Sequence, residues 1–208
     1  MDSQTLLITA VCFIGGLLAA RGFTGLKRRR LQTLEAKVRQ GDAASMVALG
    51  RKYYEGKGVP QNKETAFAYF KQAAKAGLAE AQVLTAAMCR GGDGCPQNDR
   101  ETFHWYQAAA QQGNYEGKIN LIMCHLKGIG TKADPQKAFS LALEAAEAGS
   151  PFAQVMTGDF YANGTGTQQD PQKARHYYLL AAVKGEPQAK KRLVKLEPLL
   201  QHHDAMIQ

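Results

Sequence analysis

Two cysteines lie close enough in the sequence to react with each other. Cys89 and Cys95 are six residues apart, on either side of a Gly-x-Gly loop formed by Gly92 and Gly94. A disulfide across this loop is conceivable in an oxidising compartment, whereas a reducing compartment would keep the thiols free. Four cysteines in 208 residues do not indicate a disulfide-stabilised fold, and Cys12 falls within an apolar stretch. The state of the pair therefore depends on where the domain resides.

The other residues of catalytic or metal-binding type form no recognisable site in the sequence. His202, His203 and Asp204 resemble a metal site in composition, but adjacent histidines on a terminal tail lack fixed geometry and no further cluster completes four ligands. The Gly-x-Gly loops lack the preceding strand, the Lys and the Ser/Thr of a phosphate-binding loop. No Ser-His-Asp, Cys-His or paired-carboxylate arrangement indicates catalysis. The sequence thus predicts that the protein is not an enzyme and that it binds no cofactor, no metal and no small-molecule substrate.

The basic residues are concentrated at the two ends of the chain. Of the formal charge of +8, residues 21–39 carry +6 and residues 184–208 carry +2, while residues 40–183 carry +1. A nearly neutral central domain does not predict nucleic-acid binding.

The N-terminal stretch predicts a single transmembrane helix at residues 5–26, after a short tail at residues 1–4. Leu6 to Ala20 is uncharged and mostly apolar, and with Arg21 at the interface the segment reaches the roughly 20 residues that span a bilayer. A cleaved signal peptide is the alternative, but it should open with positive charge, which this chain lacks. The cluster Lys27 to Arg30 instead follows the span, so the N-terminus should face outward and the rest the cytoplasm. Residues 27–40 are predicted to form a basic juxtamembrane helix.

Beyond residue 40 the sequence repeats itself with a period of 36 residues. Four segments superimpose without a gap: 41–76, 77–112, 113–148 and 149–184. Glycine recurs at places 1, 16 and 18 of the unit, which puts thirteen of the 21 glycines in register. A fifth, partial unit starts at Gly185.

Each unit predicts two helices joined by the Gly-x-Gly turn, where glycine tolerates positive φ. Helix A fits places 2 to 14. Helix B carries a buried stripe at i, i+3, i+4, i+7 and i+8, and it should be followed by the next leading glycine as a cap. A helix at 185–201 should cap the stack before a tail at 202–208. The expected N-caps of the helices B are Asn62, Asn98, Asp134 and Asp170.

From residue 41 to about 196 the chain resembles the Sel-1-like repeats, a subfamily of tetratricopeptide-like α-solenoids. The resemblance rests on segments such as Ala48-Leu49-Gly50 and Tyr53 to Asn62, followed by Ala66, Phe70, Ala73-Ala74 and Gly77. It implies an all-α solenoid of helix pairs in a right-handed superhelix, used by bacterial adaptors to bind proteins. The third unit departs from the pattern at Ile122 and Leu141, which predicts looser packing there.

Resemblance to the tetratricopeptide architecture also implies that helix A lines a concave face, with places 7, 8, 11, 14 and 15 pointing into it. Arginine and asparagine at these places are suited to clamp an extended peptide backbone or a carboxylate. The candidate residues at these places are Arg51, Tyr54, Arg90, Asn120, Lys127, Asp159 and Asn163.

The sequence as a whole predicts a protein-binding scaffold in the bacterial inner membrane. Two alternatives stay open. One is a periplasmic or secreted relative with a Cys89–Cys95 disulfide, with hydrolase activity such as is claimed for cysteine-rich members. The other is an electrostatic lipid-binding protein that uses the clusters Lys27 to Arg30 and Lys190 to Lys195.

Overall fold

The structure, a computed structural model, describes the backbone of residues 25–207 and the side chains of residues 29–200. Every regular element in this range is an α-helix. The helices are α1 (Gly25–Arg39), α2 (Ala43–Glu55), α3 (Lys63–Lys75), α4 (Ala79–Gly91), α5 (Asp99–Gln111), α6 (Tyr115–Lys127), α7 (Pro135–Glu147), α8 (Pro151–Asn163), α9 (Pro171–Val183) and α10 (Pro187–Ile207).

The predicted transmembrane helix at 5–26 lies, apart from its last two residues, outside the part of the chain that the structure describes. Within residues 25–207, no helix combines the length and the apolar character that a membrane crossing requires. Helix α1 covers most of the predicted juxtamembrane helix at 27–40.

The helices begin and end where the repeat register predicts. The side-chain oxygens of the four expected N-caps accept hydrogen bonds of 2.7 to 3.0 Å from the backbone N–H three residues later. These bonds satisfy donors that a helix start would otherwise leave unpaired. All thirteen glycines in register have positive φ, and no other described residue does. The local turn chemistry of the repeat is therefore confirmed.

The chain divides into two compact units, one ending at Asn114 and the other beginning at Tyr115. In unit 1, α2 pairs with α3 and α4 pairs with α5, while α1 packs against α2 and α3 against α4. Within the first pair, Gly50 lets the ring of Phe70 approach the backbone, since a Cβ at Gly50 would lie 2.6 Å from the Phe70 Cε1. Between the pairs, the loop at Gly94 lies against the first residue of α3, Lys63, so closely that a Cβ would overlap its carbonyl group.

In unit 2, α6 pairs with α7, α8 pairs with α9, and α10 packs against α9. The core under α10 includes Val155, Ala174, Tyr178, Ala189 and Leu196. Helix α10 continues to Ile207, past the predicted end at residue 201. Its backbone stays helical where a repeat would turn, because Leu200 and His202 stand in the places of the two loop glycines.

The third repeat exchanges a small and a large residue between its two helices. At the place of Gly50 it has Ile122, and at the place of the Phe70 ring it has Ala142. Both are fully buried and belong to one core cluster. The pairing of α6 with α7 is nevertheless the least extensive of the four helix pairs, in agreement with the looser packing expected there.

Candidate partner-binding surface

Helix α2 exposes one stripe of its surface while the remaining faces are buried. Ala44, Ala48, Arg51 and Glu55 are exposed at the helical spacing i, i+4, i+7 and i+11. In α4 the corresponding stripe contains Glu80, Ala87, Arg90 and Gly91. The small residues of these stripes keep the helix backbone accessible. Unit 1 therefore presents two helix surfaces on which exposed charged side chains lie next to accessible backbone.

Arg51 connects the two stripes. Its Nη2 donates to the Glu80 Oε1 at 2.6 Å, and the two side chains remain 50% and 54% exposed. An ion pair so exposed to water contributes only about 0–1 kcal/mol to stability. A carboxylate of a partner could therefore replace Glu80 on the guanidinium at small cost to the fold.

Tyr54 lies in a cluster with two residues that sequence reasoning missed. Its hydroxyl is 3.5 Å from the Asp93 Oδ2, and the Lys63 Nζ is 2.5 Å from the Asp93 Oδ1 and 5.6 Å from the centre of the Tyr54 ring. The hydrogen bond from Lys63 lowers the pKa of Asp93 and raises that of Lys63. Both groups thus stay charged at neutral pH and link the loop of the second repeat to the start of α3. The one available signal was an acidic residue between the two loop glycines of a single repeat.

Arg90 is exposed in the last turn of α4. Among the described residues it has neither a hydrogen bond nor an ion pair. In unit 1, Arg51 and Tyr54 thus each have an interaction partner within the unit. The Arg90 guanidinium is available to a ligand.

The four candidates of unit 2 are less alike in their surroundings. Lys127 and Asn163 are exposed at the ends of α6 and α8, whereas Asn120 is half-buried and donates to the Glu116 carbonyl at 2.9 Å. The carboxylate of Asp159 is already occupied by hydrogen bonds within unit 2.

Its Oδ1 accepts hydrogen bonds of 2.7 Å from the Tyr178 hydroxyl and from the Arg192 Nε, so that Asp159 joins α8 to α9 and α10. Burial and then the bond to Asp159 raise the pKa of Tyr178. The hydrogen bond to Asp159 likewise raises the pKa of Arg192.

The expectation that place 7 points into the binding face is wrong. Val47, Val83 and Val155 occupy this place in three repeats and are 4%, 4% and 5% exposed. They belong to the core because the neighbouring helices cover this side of helix A. In both helices A of unit 1 the exposed surface consequently includes places 4, 11, 14 and 15.

Cys89 and Cys95 are free thiols that lie close enough for each to influence the pKa of the other. Cys89 is buried and Cys95 half-buried. Burial, followed by the nearby carboxylate of Glu101, raises the pKa of Cys89 to about 12, and burial also raises that of Cys95. Both are therefore protonated at neutral pH. Both states that the sequence leaves open, free thiols and a bridge, are compatible with this proximity.

Across the described side chains there is no group of three or more His, Cys, Asp and Glu residues arranged to hold a metal. The side chains of His202, His203 and Asp204 lie outside the described residues.

Two units of stacked helix pairs, each capped by a further helix, define a helical repeat protein of the α-solenoid class. The Sel1 repeat model matches residues 43–78, 79–114, 117–150 and 151–185. The chain belongs to the Sel1 repeat family, whose members generally act as scaffolds for protein–protein interaction.

Two solved structures are similar to this chain. The protein c5321, a protective antigen of uropathogenic Escherichia coli strains with an SLR fold, has 26% identity and a TM-score of 0.75 over 80% of this chain and 36% of its own length. A Sel1 repeat protein from Oxalobacter formigenes has 29% identity and a TM-score of 0.70 over 78% of this chain and 64% of its own length. The chain thus spans about a third of the first relative and just under two thirds of the second. A search of the curated proteins gives no significant match.

Proposed function

We propose that this chain is a non-enzymatic scaffold, anchored in the bacterial inner membrane, which binds a partner protein on the exposed stripes of α2 and α4. The observation that carries this proposal is the pairing of two exposed arginines with small residues on adjacent helices A. Small residues admit a partner's backbone, and a guanidinium can hold a carboxylate with two hydrogen bonds. The partner segment is an extended peptide with an acidic side chain or a free carboxyl terminus.

Electrostatics support a carboxylate as the group that is recognised. Arg51 already binds the carboxylate of Glu80 at 2.6 Å. Arg90 offers a second guanidinium, which is not paired with an acidic side chain among the described residues. A ligand with two acidic groups would therefore bind at Arg90 first and exchange with Glu80 at Arg51.

The anchor is the predicted helix at 5–26, with the N-terminus outside and the repeats in the cytoplasm. The support is the uncharged stretch from Leu6 to Ala20 and the basic cluster Lys27 to Arg30 after it, which lies in the first turns of α1. Restricting the repeats to the membrane surface raises the local concentration of a partner that also resides there.

The binding proposal is tested by crosslinking the full-length chain to its partner in cells and identifying the captured protein. The double variant Arg51→Ala and Arg90→Ala should reduce the crosslinked partner at least tenfold, since removing one partner of a charge pair that is buried and hydrogen-bonded in an interface costs about 2 kcal/mol or more. The matched control removes two exposed arginines from helices B, Arg100 and Arg175. Equal capture by the test variant and the control would refute the role of α2 and α4.

A second candidate function is that of a periplasmic or secreted member of the family with a disulfide, favoured by the proximity of the Cys89 and Cys95 thiols. Thiol trapping during cell lysis, followed by fractionation, separates the two. Free Cys89 and Cys95 in an uncleaved, membrane-bound chain support the cytoplasmic scaffold. A bridged pair in a released chain supports the alternative.

A further inference from the structure

Helix α9 exposes three large apolar side chains next to one another. Leu179, Leu180 and Val183 are 42%, 38% and 87% exposed. They occupy places 31, 32 and 35 of the fourth repeat. Place 31 also holds a leucine in the third repeat, the half-buried Leu143, but in the first three repeats places 32 and 35 hold only Lys, Gln, Ala or Glu. Contiguous exposed apolar side chains with a polar rim typically mark an interaction site.

Unit 1 shows what usually faces this side of helix B. Lys71, at place 31 of α3, makes an ion pair of 2.6 Å with Glu101 in the first turn of α5, which is the next helix B. Place 31 therefore points toward the helix B of the following repeat. After the fourth repeat the described chain does not turn back at the usual spacing, because α10 stays helical to Ile207. The apolar face of α9 is open where a fifth helix B would lie.

The surroundings of this face are basic. Residues 171–200 contain seven Lys and Arg against only two acids, Glu186 and Glu197, a net +5. Arg175, Lys190, Lys191 and Lys195 are exposed. The helix that carries the apolar stripe and the helix that follows it thus have an excess of exposed positive charge.

We propose that the open face of α9 docks an amphipathic helix of another protein that has an apolar stripe flanked by Asp or Glu. This helix takes the position that a fifth helix B would have and continues the helix stacking of unit 2. A second copy of the chain is disfavoured as the occupant, because two such faces would bring like charges together. The site uses other residues than the exposed stripes of α2 and α4, so it goes beyond the proposed function.

The test uses a fluorescent, 18-residue synthetic peptide with Leu at i, i+3, i+4 and i+7 and Glu on both flanks. Its binding to the full-length protein in zwitterionic lipid nanodiscs is measured by anisotropy, with empty nanodiscs as background. A peptide with Lys in place of every Glu is the charge control. The Glu peptide should bind at least tenfold more tightly than the Lys peptide.

Two sets of substitutions separate the apolar and the charged contributions. L179Q/L180Q/V183Q should weaken binding of the Glu peptide at least tenfold, with an unchanged circular dichroism spectrum because all three side chains are exposed. K190E/K191E/K195E should weaken the Glu peptide and strengthen the Lys peptide. The control Phe152→Gln removes an equally exposed apolar side chain from α8, 41% exposed, and should bind as the unaltered protein does.

Three results would overturn the proposal. The first is equal binding of the Glu peptide by the triple glutamine variant and the unaltered protein. The second is association with vesicles of anionic lipid, lost in the triple variant, without peptide binding, which would assign the face to the bilayer. The third is a dimer in sedimentation that the triple variant abolishes, again without peptide binding, which would assign the face to a second copy.

Discussion

The substitution Gly94→Ala separates the two roles that a glycine plays in this repeat. Gly92 and Gly94 stand in one loop with φ of +70° and +68°, so an alanine at either place meets similar backbone strain. Their surroundings differ. A Cβ at Gly92 would have its nearest neighbour 3.7 Å away, whereas at Gly94 it would overlap the backbone carbonyl of Lys63 in the preceding repeat. Gly92→Ala is thus the control for strain alone.

The two losses of stability should differ by the cost of that overlap. Placing an alanine in the left-handed region costs about 1–2 kcal/mol. Overpacking against atoms that cannot move away costs about 1–3 kcal/mol more. A backbone carbonyl is such an atom, since moving it means moving the start of α3. We expect about 1–2 kcal/mol for Gly92→Ala and about 2–5 kcal/mol for Gly94→Ala.

The protein contains its own probe for this measurement. Trp105 is the single tryptophan, is 8% exposed, and lies in α5 of the same repeat. Urea unfolding followed by its fluorescence gives the free energy of unfolding of each variant, with circular dichroism as the second signal. Equal losses for the two variants would refute the reasoning, because the second glycine would then serve the turn and not the stacking of one repeat on the next.

Three further changes test the packing and the charges of the core. Ala142→Phe should cost about 1–3 kcal/mol by overpacking, and adding Ile122→Gly should leave the double variant more stable in urea than the sum of the single losses predicts. The pKa of Cys89, raised to about 12 from 9.0, means that stability is fully present below pH 9 and declines as the pH rises toward 12. Cys89→Ala should show a smaller decline in urea midpoints measured from pH 8 to 11, and the decline that remains comes in part from Cys95, whose pKa is also raised. Burial acts to raise the pKa of Glu101, but its hydrogen bonds, chiefly from Lys71, lower it overall, so its contribution is present above about pH 4.5 and is lost as the pH falls further. Lys71→Met should reduce stability at pH 7 by about 0.5–1.5 kcal/mol and flatten the loss of stability below about pH 4.5 in urea titrations.

The sequence predicted those features that depend on a few neighbouring residues. Asn62 caps α3 because its side chain reaches the N–H three residues later. Gly56 ends α2 because glycine readily adopts the positive φ that the chain requires after the last helical residue. Both conditions are local, so the repeat register located all four caps and all thirteen positive φ values.

The features that the sequence did not predict depend on how one repeat lies on the next. Val47 was expected on the binding face, yet a neighbouring helix covers it. The links Lys63–Asp93 and Asp159–Arg192 join residues about 30 positions apart, and their partners follow from the stacking angle between helices. The periodicity of apolar residues within one helix carries no information about that angle. The exposed stripe of helix A became clear only when its neighbours were in place.

Departures from the repeat pattern are of two kinds, and the structure distinguishes them. Ile122 is unusual at its place, but Ala142 in the paired helix compensates for its volume and both are fully buried. Such a pair is explained within the fold. Leu180 and Val183 are equally unusual at theirs, yet they remain 38% and 87% exposed. Apolar surface left in water costs about 25 cal/mol per Å² relative to burial, so an uncompensated departure requires a cause outside the repeat. In a repeat protein, function is therefore best sought at a residue that departs from the repeat pattern without a compensating change in a neighbouring residue. Helix α9 meets this condition.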